Sequence, residues 1–175
     1  MLLQTTVCMY LVRRASVNAA TERKMRARYR VSGMADNIFR KILDGEIPSR
    51  DVYEDEETYA FLDVNPLARG HTLVIPKQDA ETLEDLDDGG EALFDTVRRL
   101  APRVADAVGA PAYNIGLNNG EAAGQEVPHV HFHIVPRFED DGGHPIHAIQ
   151  PSPPDVSDDE MEEIQKDIAD EAEGI

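Results

Sequence analysis

The chain predicts an α+β fold built on an antiparallel sheet. Three observations carry this: three short strand-like runs follow one another without a helix between them, one long amphipathic stretch comes next, and two more strand-like runs close the pattern. A doubly wound parallel fold would alternate strand and helix instead. The expected inventory is about five strands, one short and one long helix, and a C-terminal helical tail.

The short helix comes first, in IFRKILDGEIP. Ile38, Phe39, Ile42 and Leu43 recur at helical spacing, Asp36 is placed to cap the start, and Gly45 then Pro48 stop it. Strands are expected at Asp51–Glu54, Thr58–Leu62 and His71–Pro76, with the Asn-Pro and Gly punctuation of DVNPLARG turning the chain between the last two. From Glu91 to Val108 an apolar stripe runs through Leu93, Val97, Leu100, Val104 and Val108. Pro102 removes a backbone donor and crowds residue 98, so a kink is expected there, and Gly109 ends the helix. A strand over Tyr113–Asn118, a Gly-rich loop over 119–128 and a histidine-bearing strand over 129–136 follow. Beyond PSPP (151–154), Ser157 and Glu160 form a capping box for an acidic helix.

Charge is distributed unevenly. Residues 1–33 carry seven Lys or Arg against Glu22; removing that +6 from the chain total of −17 leaves −23 on residues 34–175. Such a surface repels itself in dilute buffer and is better tolerated when salt screens it, which reads as adaptation to a salty cytoplasm. It also speaks against nucleic acid as a partner, because the phosphate backbone would be repelled. A single cysteine, Cys8, allows neither an intrachain disulfide nor a Cys-based zinc site. No run approaches the roughly 18 apolar residues of a membrane span. In the leader, Val7–Val12 is apolar but the arginines follow it, the wrong order for a secretory signal. An organelle transit peptide is the less favoured reading of residues 1–33. The plainer one is a disordered or mis-assigned extension, with Met34 opening a domain over 34–140 and an acidic tail over 141–175.

HVHFHIVPR, residues 129 to 137, is where the chemistry concentrates. On a strand His129, His131 and His133 would share one face, leaving Val130, Phe132 and Ile134 to pack on the long helix. Three buried histidines are a costly way to fill a core. All three on one metal would be strained, since the outer two start roughly 13 Å apart at the rise of a strand. Covalent catalysis fits better. A neutral imidazole is a nucleophile near pH 7, and crowding lets one ring stay neutral while a neighbour is protonated. The middle ring, His131, is the natural attacker. The loop NNGEAAGQEVP places Gly124, Gln125 and Glu126 just ahead of it, where backbone N–H groups can form an anion nest. A phosphorus substrate fits that nest, and nothing resembles a Ser or Cys nucleophile elbow.

These residues resemble the histidine triad (HIT) family of nucleotide hydrolases and transferases, closer to its HINT-like branch. The likeness runs from about Asn37 to Arg137 through IFRKILDGEIPSRDVYEDEETYAFLDVNPLARGHTLVIPK and GQEVPHVHFHIVPR. The third histidine separates the chain from the related galactose-1-phosphate uridylyltransferases, which have glutamine there. The resemblance implies a HIT-like fold, usually a homodimer through the long helix and an edge strand, and a purine nucleotide substrate. It implies His131 as the nucleophile forming a nucleotidyl-histidine on the α-phosphate, His133 as the partner near phosphate and leaving group, and His129 as the residue orienting the nucleophile. His71 matches the fourth site histidine and Asp63 the ribose-hydroxyl ligand. Phe39, Ile42 and Phe61 match the base pocket, while Asn118 and Gln125 match phosphate-side contacts. Neither cofactor nor metal is expected in the covalent step.

The chain also departs from that pattern. Many bacterial-type members carry a Cys-x-x-Cys zinc site around the first helix, where this sequence has Asn37 and Arg40. The histidine often found two residues after the PK of the third strand is Asp79. Glu126 replaces a serine that touches phosphate in one branch. His144 and His147 lie beyond the match and read as surface residues. The alternatives left open are a non-catalytic nucleotide-binding scaffold and a metal-dependent hydrolase. The leaving group, a phosphoramidate amine or one end of a dinucleoside polyphosphate, is not chosen by sequence.

Overall fold

The structure, a computed structural model, describes residues 37–87, 89–149 and 155–172. The leader, the Met34 start, Asp36 and the PSPP stretch fall outside them. Contacts divide the chain between Gly143 and His144.

In the larger unit, helix α1 (Ile38–Leu43) begins at Asn37, whose Oδ1 accepts the N–H of Arg40 at 2.7 Å. Asn37, not Asp36, is therefore the cap. Strands β1 (Asp51–Glu54), β2 (Thr58–Leu62) and β3 (Thr72–Pro76) follow, then the long helix α2 (Gly89–Val108), β4 (Ala112–Leu117) and β5 (Phe132–Arg137). They form one antiparallel sheet in the order β1-β2-β3-β5-β4. The α+β class and five-stranded antiparallel sheet expected from the sequence are present.

Strand alternation sorts the core into two faces. Ala60, Val74, Val130, Phe132 and Ile134 pack with Leu93, Val97, Ala101 and Val104 of α2. Tyr59, Phe61, Leu73 and Ile75 point the other way and meet Phe39, Ile42 and Leu43 of α1. Burying each large side chain contributes about 1.5–3 kcal/mol, so these faces supply most of the driving force. Pro102 lies inside α2, and the element nonetheless runs on as one helix to Val108.

The histidine strand starts later than the alternation suggests. Its ladder opens at Phe132, opposite Val74 and Leu117. The N–H of His129 goes to the Val127 carbonyl and that of Val130 to Ala80, each at 2.8 Å, so this stretch is tied to loops instead of a neighbouring strand.

The smaller unit contains α3 (Asp158–Glu171), with Ser157 Oγ accepting the Glu160 N–H at 3.3 Å. Among the described residues no helix is long and apolar enough to cross a membrane.

Candidate active site

Register sets the site. His133 sits opposite Leu73 on β3 and Gly116 on β4, so its ring belongs to the α1 face of the sheet. Gly70 positions the fourth histidine. It has φ +86°, a conformation glycine adopts freely, and a Cβ there would stand 2.7 Å from Val108 Cγ1. The next residue, His71, thereby enters β3 with its ring turned towards His133.

Hydrogen bonds assign the tautomers, because a ring nitrogen that meets a donor must be bare and one that meets a carbonyl must carry the proton. Leu67 N–H donates to His71 Nδ1 at 3.2 Å, which places the His71 proton on Nε2. That Nε2–H reaches His133 Nδ1 at 2.9 Å, leaving the His133 proton on its own Nε2. Asp63 Oδ2 lies 3.4 Å from His71 Nδ1. On the other side, His131 Nδ1–H donates to the carbonyl of His129 at 2.7 Å. The His131 Nε2 lone pair is therefore unprotonated. The His131 and His133 rings stand with centroids 5.1 Å apart.

His129 makes its contact with His131 through its backbone. Its ring is buried beneath the site and hydrogen-bonded to the Pro76 carbonyl at 3.0 Å, and its backbone oxygen, not its imidazole, meets His131. The alternation nevertheless holds through this stretch: the His129 and His131 rings both meet Phe39 and His131 meets His133, while Val130, Phe132 and Ile134 pack on α2.

Burial lowers the pKa of all four rings below 6.5. For His71 the Asp63 carboxylate opposes the effect; for His131 its bond to the His129 carbonyl, Asp63 and Glu126 oppose it. His129 is lowered by burial against its bond to Pro76. His133 is pushed down to about 4 by burial and by the neighbouring His131 and His71. The expected cationic partner is thus not held in the ligand-free protein, because desolvation outweighs the one nearby carboxylate.

Phe39 packs edge-on to Phe61 at 5.7 Å and to His131 at 5.1 Å, so α1 brings apolar surface against His131; Ile42 is buried in the same cluster. Asn118 is exposed, with Nδ2 on the Gly124 carbonyl at 3.3 Å. Gln125 is a brace: its Nε2 bonds the carbonyls of Glu81 (2.7 Å) and Val127 (2.9 Å), and its Oε1 accepts the Gly120 N–H (2.7 Å). The N–H groups of Gly124 and Gln125 close turns onto Glu121 and Gly120, so those two donors face the loop itself and not an anion. A pocket of about 240 Å³ beside this loop is lined by Glu81, Glu121, Gln125, Glu126 and Pro128. Sequence reasoning did not foresee its acidic wall, which needs Glu81 from another loop.

Asp63, His71 and His133 lie close enough to hold a metal ion. However, both nitrogens of His71 already have partners, Nδ1 taking the Leu67 N–H and Nε2 meeting His133 Nδ1.

A five-stranded antiparallel sheet carrying a His-x-His-x-His run beside a fourth histidine defines the class. The sequence profile of the HIT domain matches residues 44–140, and the chain belongs to that family. Curated relatives include an uncharacterized HIT-like protein of Methanocaldococcus jannaschii, 50% identical over 105 residues (60% of this chain, 81% of the relative). The adenosine 5'-monophosphoramidase HNT1 of Saccharomyces cerevisiae is 45% identical over 106 residues (61% of this chain, 65% of the relative). Among solved structures, a protein of Streptococcus mutans superposes with a TM-score of 0.72 at 37% identity, covering 83% of this chain and 90% of that one.

Proposed function

We propose that the protein is a nucleotide hydrolase or transferase that cleaves purine nucleoside phosphoramidates, or dinucleoside polyphosphates, at the α-phosphate. The observation that carries the reading is the tautomer of His131. Its Nδ1–H is tied to the His129 carbonyl, so Nε2 offers a lone pair at neutral pH. Nε2 attacks the α-phosphorus and a P–Nε2 bond forms as the P–N bond to the leaving amine breaks. The charge of the bound phosphate lets His133 take up a second proton; the resulting imidazolium gives its Nε2 proton to the leaving amine and returns to the neutral ring. Water then attacks the nucleotidyl-histidine, passes a proton to His133 and releases the nucleoside monophosphate. Negative charge on the bound phosphate raises the His133 pKa from its ligand-free value and favours this shuttling. Phe39, Ile42 and Phe61 offer apolar contact for the base, and Asp63 a carboxylate for ribose hydroxyls. The similarity to a monophosphoramidase supports the same reading.

A single-turnover mix with a nucleoside phosphoramidate labelled on phosphorus tests it. The intact protein should acquire an acid-labile label, and His131→Ala should lose label and turnover while still binding nucleoside monophosphate. An intact protein that binds but never labels is a scaffold; turnover abolished by chelators would mark a metal-dependent hydrolase instead.

A further inference from the structure

Among the described residues, three buried side-chain atoms have no hydrogen-bond partner: Asn37 Nδ2, Asp79 Oδ2 and His129 Nδ1. Asp79 and Arg40 both lie close enough to the His129 imidazole to act on its charge, the first favouring the protonated ring and the second opposing it. Asn37 caps α1 three residues before Arg40, whose guanidinium reaches Asp79 Oδ1 at 3.4 Å and forks onto Asp44 at 3.2 and 2.8 Å. Ala80, next to Asp79, accepts the N–H of Val130, next to His129. Phe39, between Asn37 and Arg40, lies edge-on to the His129 ring at 6.1 Å. Three points at which the sequence departs from the family's zinc-binding pattern, Asn37, Arg40 and Asp79, thus meet around a triad histidine.

The donor set does not suit a metal. Arg40 already supplies a buried positive charge, and Asn37 turns its amide N–H inward because its oxygen caps the helix. It does suit water. His129 Nε2 faces the Pro76 carbonyl and must carry the proton, so Nδ1 is a bare acceptor. One inward donor and two inward acceptors are the complement of a single water molecule, which accepts once and donates twice.

We propose that Asn37, Arg40 and Asp79, closed around one bound water, are positioning residues for His131 that act through His129. With both ring nitrogens of His129 held, its carbonyl stays fixed, and that carbonyl takes the His131 Nδ1–H and so aims Nε2. This deepens, and rests on, the nucleophile reading above.

The test uses Asp79→Ala, which leaves Arg40 paired with Asp44, and Asn37→Ser, which keeps a helix cap but deletes the inward donor. With a phosphoramidate substrate, kcat should fall about 10-fold while KM stays within about twofold, since an orienting partner has been lost and not a substrate contact. Asp79→Asn, which retains an oxygen for the water, should recover most of the loss. Histidine-detected NMR supplies the second readout: exchange of the His131 Nδ1–H should quicken about 10-fold in the first two variants as its acceptor loosens. Should kcat or that exchange stay at the wild-type value in either variant, with thermal melting showing it folded, the proposal is overturned. If the wild type turns over no phosphoramidate, the functional reading fails, and the NMR arm alone still decides the positioning claim.

Discussion

His131 can serve as a nucleophile at neutral pH only while it is uncharged, and burial favours the uncharged ring. Burial lowers its pKa from the ordinary 6.5, so any acid limb it causes in kcat/KM, which reports the free protein, should be centred below 6.5. An acid limb centred at or above 6.5 in the kcat/KM profile would contradict the assignment. The same groups set acid stability. The folded-state pKa values of four imidazoles are depressed, so the unfolded chain binds protons first. Stability is complete above 6.5 and is lost as pH falls through the range down to about 4, where His133 itself titrates. Urea melts at pH 7 and pH 5 should show it, with the lower midpoint at pH 5. At this scale the histidine cluster was legible, because three alternate histidines have few other uses. His71 was not legible from the residues alone, since only the register of β3 and β5 reveals its bond to His133. The bracing role of Gln125 was equally hidden, because it ties its own loop, at Gly120 and Val127, to Glu81 of a distant one.

Elements place these residues, and the turn into β3 is the most exposed to a single change. Gly70→Ala should cost about 1–3 kcal/mol through the strained φ and the collision with Val108 on α2. Chemical denaturation measures this, and an unchanged midpoint would show that the backbone relaxes there freely. Leu93→Ala, in the fully buried seam between α2 and the sheet, should cost about 2–5 kcal/mol by the same assay. Most elements could be read from sequence. β1 and β2 follow short apolar, β-branched runs bounded by turns, and α2 follows its stripe. The start of β5 could not be. Alternation in HVHFHIV continues through residues that pair with no strand, and periodicity cannot see whether a partner is present. The first cap was misplaced for a similar reason: Asp36 and Asn37 are both good caps, and which one serves depends on where α1 docks.

At the scale of the whole molecule, two properties oppose each other. Tyr113 and Ile115 lie on the same sheet face as Ile134 and Phe132, at the open edge formed by β4, and remain about 40% exposed; Phe94 on α2, in edge contact with Phe132, is 52% exposed. An unpaired edge strand beside uncovered aromatic and aliphatic side chains invites a second copy of the chain, and we propose a homodimer across this surface. Each copy carries a formal charge of −17, so bringing two together costs repulsion that salt relieves, the screening length falling from about 30 Å at 0.01 M to about 3 Å at 1 M. Association should therefore strengthen with ionic strength. Sedimentation equilibrium in KCl should show a monomer–dimer balance moving towards dimer from low to molar salt. Ile115→Glu should hold the protein monomeric at every salt concentration without lowering its melting temperature. A dimer that persists in Ile115→Glu would place the interface elsewhere, and one that weakens as salt is added would mean that specific ion pairs, not apolar contact, hold it together.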